Sequence, residues 1–196
     1  ATVWTANNDA YSFFGYKTIS SIEEFKTRFG LPVAKFHRSN GITEEMIDMV
    51  ETKYRERYPL HQHLIRVFPE AGGTLSELKS RDVKLGIASN IPKDFLAEHL
   101  HRFELSEYFG AITAQEDCNE QKPSPKPILT TLFKLNAKPG SAAYIGDMEE
   151  DMIAGKKAGV HTIAMDREGA YQPISRLKRH SPDYVIKVLD DLLQIV

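Results

Sequence analysis

The sequence predicts an α/β protein, a parallel-sheet core with a helical insertion near its N-terminus. Two contrasting textures along the chain carry that prediction. Over residues 3–64 apolar side chains recur at three- and four-residue steps, as on amphipathic helices: Trp4, Tyr11 and Phe14, then Ile22, Phe25 and Phe29. After Phe68-Pro69 the rhythm becomes short, continuous apolar runs alternating with helical patterns, which is how parallel strands covered on both faces read.

In the first texture, Ser20 or Ser21 with Glu23 or Glu24 makes a helix start, because a side-chain oxygen can accept an otherwise orphaned N–H. Gly30-Leu31-Pro32 stops that helix. Thr43-Glu44-Glu45 opens another, which runs through Met46, Val50 and Tyr54 until Tyr58-Pro59 ends it. In the second texture the expected strands are 83–88, 111–113, 142–145, 160–164 and 184–186. The expected helices are 74–81, 93–101, 127–135, 149–158 and 188–195. Neither an internal repeat nor a low-complexity linker interrupts the alternation.

Composition narrows the function. The 196 residues are 41% hydrophobic and 27% charged, with a net charge of -2 and both signs interspersed, so no basic field exists to grip nucleic acid or an acidic membrane. The densest basic spot, Arg176, Lys178 and Arg179, reads as a solvated helix end. A single cysteine, Cys118, excludes an internal disulfide and suits the cytoplasm; no pattern sets a His or Asn beside it as for a nucleophile. No apolar run reaches membrane-span length, and the first eight residues lack the plan of a signal peptide.

Three motifs point to anion or metal chemistry. In Ala143-Tyr144-Ile145-Gly146-Asp147-Met148-Glu149-Glu150-Asp151 an apolar strand ends, Gly146 turns the chain, and carboxylates stand where a helix begins. The carboxyl ends of strands form the ligand crevice of open α/β sheets. Asp147 and Asp151, four apart, can both face it, and hard carboxylate oxygens suit Mg²⁺. The plainer reading is acids favoured by a helix N-terminus. In Lys122-Pro123-Ser124-Pro125 rigid backbone can present Lys122 to a phosphoryl group, or the lysine is merely on the surface of a Pro-rich loop. The run 84–90 ends in Ser89 and Asn90, whose hydroxyl and backbone N–H groups can cradle an anion, or else cap a helix.

Taken together, in the order Ser, Lys, Asp at successive strand ends, these motifs resemble the haloacid dehalogenase superfamily, particularly its phosphoglycolate phosphatase-like branch. Ser89 matches the family's second motif and Lys122, in a Lys-Pro-x-Pro turn, its third. Gly146, Asp147 and Asp151 with Ala158-Gly159 match its fourth. The resemblance implies a Rossmann-like core of residues 1–7 and 68–196, with a helical cap domain over 8–67. It further implies a Mg²⁺-dependent hydrolase acting on a small-molecule phosphate ester through an aspartyl-phosphate, in a monomer or homodimer. Asp147 and Asp151 would hold the metal, Lys122 would neutralise the nucleophile and phosphoryl charge, and Ser89 with the Asn90 backbone N–H would bind a phosphoryl oxygen. Cap residues Tyr16, Lys17, Lys35, His37 and Arg38 can contact substrate or be solvated, and His61-x-His63 reads as a surface loop rather than a metal pair.

One motif of the resemblance is not in the sequence: Asp-x-Asp-Gly-Thr, whose first Asp attacks phosphorus. The family places its strand between those carrying Ser89 and Asp147, so unpaired backbone there would cost about 1–3 kcal/mol per buried group. The expectation is therefore a short piece ahead of Ala1 that carries this strand. A phosphomutase on a sugar phosphate and a non-catalytic phosphate-ester binder remain the alternatives.

Overall fold

The structure, a computed structural model, describes residues 1–195. The chain forms two compact units, Ala1–Arg66 and Val67–Val196.

The first unit is helical: α1 (Thr2–Phe13), α2 (Ile22–Arg28), α3 (Val33–Ser39), α4 (Glu44–Arg57) and a 3-10 turn (Tyr58–Leu64). Residues 1–7, assigned to the core on resemblance, begin α1 and cluster with this unit. Ser21 caps α2, its hydroxyl accepting the Glu24 N–H at 3.1 Å, and fixes where the helix starts. The apolar stripe of α2 then brings Phe25 onto Phe29, ring centroids 4.8 Å apart, with Phe36 of α3 edge-on to both. The two-histidine segment lies on the 3-10 turn, where His61 Nε2–H donates to Asp9 of α1 at 2.7 Å.

The second unit alternates α5 (Ala71–Ser80), β1 (Gly86–Ala88), α6 (Lys93–Arg102), β2 (Ala111–Thr113), α7 (Lys126–Lys134), β3 (Ala143–Gly146), α8 (Glu149–Ala158), β4 (His161–Met165), α9 (Ile174–Lys178) and β5 (Tyr184–Ile186). Every strand pairing is parallel, as the continuous apolar runs require. The expected last helix is a 3-10 segment, Leu189–Gln194. The strand expected from residue 83 pairs only over its final three residues. Gly155 is needed where α8 crosses β4, since a Cβ there would stand 2.6 Å from Thr162 Cγ2. That close approach leaves Met152, Ala154, Ile163 and Ala164 with almost no exposed surface.

The sheet is divided. β1 pairs with β2, and β4 pairs with β3 on one side and β5 on the other, but β1 and β3 do not pair with each other. Between their facing edges lies a cavity of about 610 Å³, lined in part by Leu85, Gly86, Ala88, Ala143, Tyr144 and Ile145. Ile145 is 37% exposed, an unusual condition for a strand that parallel-sheet rules bury on both faces. The Tyr144 hydroxyl spans the gap and donates to the Ala88 carbonyl at 2.6 Å. Among the described residues, no helix is long and apolar enough to cross a membrane.

Candidate active site

The strand ends of the second unit gather the residues singled out in the sequence. At the end of β1, Ser89 N–H donates to Thr113 O at 2.9 Å and so prolongs the pairing with β2. Its Oγ accepts the Ile91 N–H at 3.1 Å, which settles Ser89 as a turn residue rather than the cap of α6; that cap position is Pro92. The Ser89 O–H has no protein acceptor among the described residues. Asn90 turns its amide onto the backbone of Lys122. Oδ1 accepts the Lys122 N–H at 3.0 Å while Nδ2 donates to the Lys122 carbonyl at 3.1 Å.

Lys122 is largely shielded from solvent, its side chain 11% exposed, so its charge requires partners. Nζ donates to the Tyr144 hydroxyl and to Asp151 Oδ1, each at 2.7 Å. Burial acts to lower the ammonium pKa, but Tyr144 and Asp151 outweigh it and the net direction is upward, so the lysine stays charged. Burial pushes the Tyr144 phenol up to about 12 against the opposing pull of Lys122. It therefore remains neutral, accepting from Lys122 while donating to Ala88.

Gly146 and α8 set the two aspartates. A Cβ at Gly146 would fall 2.3 Å from Asp151 Oδ2, so only glycine lets the strand end meet the helix this closely. Asp151 Oδ2 accepts the Met148 N–H at 3.1 Å and caps α8, while its other oxygen takes Lys122. Asp147 differs. Burial, the largest influence, drives its carboxyl upward; the Tyr171 N–H, donating at 2.8 Å, opposes this, and the Asp151 charge adds to the rise. No basic side chain pairs with it among the described residues.

The donor set fits a hard cation. No three His, Cys, Asp or Glu converge on one metal position among the described residues. A desolvated carboxylate beside a second one nevertheless suits Mg²⁺, which takes one or two protein carboxylates and fills the rest with water and phosphate. The segment after β4 supports that corner. Gln172, 2% exposed, accepts the Glu149 N–H at 2.8 Å and donates to Glu150 at 3.2 Å, while Tyr171 holds Asp147.

Ser89, Asn90, Lys122, Asp147 and Asp151 thus belong to one cluster, and Tyr144, Tyr171 and Gln172 join it unforeseen. A signal existed for Tyr144: a phenol in an apolar run that reads as a core strand must find a partner. None marked Gln172, whose bonds come from a loop more than 20 residues from its partners. The helical unit corrects one reading. His37, taken as a solvated or substrate-facing residue, is fully buried, and Arg38 is paired with Glu44 at 2.5 Å.

A sequence model described as haloacid dehalogenase-like hydrolase matches residues 1–165. Pyrophosphatase PpaX of Oceanobacillus iheyensis is 30% identical over 187 residues, 95% of this chain and 86% of the relative. The PpaX protein of Bacillus pumilus is 32% identical over 157 residues, 79% of this chain and 69% of the relative. A Lactobacillus plantarum structure assigned as a phosphoglycolate phosphatase superposes with a TM-score of 0.84 at 20% identity, covering 98% of this chain and 89% of the other. At that identity it speaks for the fold alone. With its motifs gathered at the carboxyl ends of parallel strands, this chain belongs to the haloacid dehalogenase-like hydrolases.

Proposed function

We propose that this hydrolase is a Mg²⁺-dependent cytoplasmic phosphatase that cleaves a small phosphate monoester through an aspartyl-phosphate. The observation that carries the reading is the largely shielded Lys122 ammonium, held between Asp151 and Tyr144 next to the strand ends of Ser89 and Asp147. Phosphoryl transfer asks a protein mainly for positioning and for charge opposite the equatorial oxygens, and this cluster supplies both.

The roles follow from the donors and acceptors. The Ser89 hydroxyl and the Asn90 backbone N–H bind a phosphoryl oxygen. Lys122 offsets charge on the attacking carboxylate and on the phosphoryl group in flight. Asp147 and Asp151 would hold Mg²⁺, which supplies further neutralisation of the phosphoryl oxygens when bound. The Asp-x-Asp-Gly-Thr motif that carries the attacking carboxylate in the resemblance is not found in the sequence. In the proposed reaction a carboxylate oxygen would bond to phosphorus as the P–O(ester) bond breaks and the ester oxygen takes up a proton from solvent; water would then attack phosphorus, releasing phosphate and restoring the carboxylate.

A second substrate reading rests on the PpaX relatives, whose name specifies pyrophosphate. Hydrolysis of p-nitrophenyl phosphate, phosphoglycolate and pyrophosphate, each with and without Mg²⁺, separates the two. Phosphate release from the esters that requires Mg²⁺ supports the monoester reading, and release from pyrophosphate alone replaces it. Isomerised sugar phosphate without phosphate release would identify a mutase. The mass and N-terminal sequence of the native protein, read in parallel, show whether Asp-x-Asp precedes Ala1. Binding of phosphate without any turnover, by a protein lacking those acids, would sink the hydrolase mechanism.

A further inference from the structure

We infer that Asn90 is a positioning residue for Lys122, and that the tripeptide Ala88-Ser89-Asn90 and Lys122 form one rigid anion-binding unit; the inference rests on the phosphatase reading above.

Ser89 and Lys122 lie on loops 33 positions apart, and a phosphoryl group held by both requires their spacing to be constant. Both residues flanking Ser89 connect to the lysine. On one side the Asn90 amide closes two hydrogen bonds onto the Lys122 main chain, N–H to Oδ1 at 3.0 Å and Nδ2–H to O at 3.1 Å. On the other side the Ala88 carbonyl receives the Tyr144 hydroxyl at 2.6 Å, and that hydroxyl accepts from Lys122 Nζ at 2.7 Å. The lysine is therefore fixed at its backbone by the residue after Ser89 and at its tip through the residue before it.

An amide is well suited to the backbone end. It alone among short side chains offers a donor and an acceptor in one plane, matching the N–H and C=O of a single residue. An apolar residue at position 90 would leave both Lys122 main-chain groups without these partners, and an aspartate would keep only the acceptor. At the tip, two of the three ammonium donors are engaged by Asp151 and Tyr144. A third remains for a phosphoryl oxygen, and its direction is set once backbone and tip are both held. Asn90 thus acts in two ways: its own backbone N–H faces the anion in the proposed function, while its side chain aims the lysine.

The test is a double-mutant cycle on binding of inorganic phosphate in the presence of Mg²⁺, measured by calorimetry on the full chain. Asn90→Ala should weaken phosphate roughly ten-fold, the scale of one or two lost hydrogen bonds. In a Lys122→Met background the same change should alter affinity by less than about two-fold, because the residue through which it acts is gone. Amide hydrogen exchange supplies a readout independent of any ligand: the Lys122 N–H should be protected in the wild type and exchange faster in Asn90→Ala. If Asn90→Ala does not fold, Asn90→Ser serves, since its short hydroxyl cannot bridge the Lys122 N–H and C=O, and the same two readouts apply. Equal losses in both backgrounds, or an unchanged Lys122 amide, would overturn the inference. Wild-type protein that binds no phosphate would instead overturn the phosphatase reading, and exchange at Lys122 would then decide the clamp alone.

Discussion

Two hydrogen-bonded networks of similar composition occupy the two units and teach different things. In the helical unit, Tyr11 of α1 meets Nδ1 of His37 on α3 at 2.7 Å, and the other ring nitrogen of His37 bonds Glu51 of α4. In the α/β unit a tyrosine, a basic nitrogen and a carboxylate recur as Tyr144, Lys122 and Asp151. The first set ties three helices together, and Tyr11 and His37 have no exposed surface, so no ligand reaches them. The second stands at strand ends, where the Ser89 hydroxyl and the Asp147 carboxyl still have capacity to bind. Chemical composition is shared; only the position in the fold makes one a brace and the other a candidate site.

Removing the central nitrogen from each network is the strongest way to break this comparison. Lys122→Met should lower turnover of the preferred phosphate substrate by about 10²–10³-fold, the range for deleting one preorganised electrostatic contact, checked by steady-state kinetics with the thermal midpoint recorded alongside. His37→Ala should act on stability. It leaves a cavity, an unpartnered Tyr11 hydroxyl and Glu51, and should cost about 2–4 kcal/mol, read as faster amide exchange in α1, α3 and α4. A small stability change there, or full activity without Lys122, would erase the distinction.

Smaller changes sharpen it. Gln172→Ala frees the segment that holds Asp147 and should weaken Mg²⁺ binding about ten-fold, as supports of metal ligands commonly do, with little change in substrate affinity at saturating metal. Tyr11→Phe tests the pH behaviour of the enclosed network. Burial, then the Glu51 charge, raises the Tyr11 phenol above its ordinary value of 10.0. A group whose folded pKa exceeds its unfolded one contributes stability that is complete below the unfolded value and lost as pH rises towards the folded one. Chemical denaturation should therefore show wild-type stability falling above about pH 10, while Tyr11→Phe, slightly weaker at neutral pH, loses most of that alkaline slope. Equal slopes in both proteins would place the titration elsewhere.

Much of this was legible in the residues because it is local. Ser20 or Ser21 with Glu23 or Glu24 signals a helix start on its own, and α2 begins there, capped by Ser21. Gly-Asp-x-x-x-Asp reads as strand, turn and helix because apolar run, glycine and N-terminal acids each state a backbone preference. The two strands at 111–113 and 184–186 and the helix at 149–158 have the expected bounds for the same reason. The short helix α3 was not legible, since seven residues carry too little periodicity to be distinguished from loop, and α9 was legible only as the basic helix end at Arg176 and Lys178. His37 was misread because a histidine between Lys35 and Arg38 looks solvated until its helix is rotated into place.

By itself the sequence determined the parallel α/β class, the helical unit before it, and the ordered set Ser89, Lys122, Asp147 and Asp151, since periodicity and motif spacing are properties of neighbouring residues. Only the tertiary structure decided which contacts complete them. The Asn90 clamp, the Tyr144 bridge and the Gln172 support each join residues more than 20 positions apart. Such pairings depend on how strands and helices pack, and nothing in local propensity specifies them.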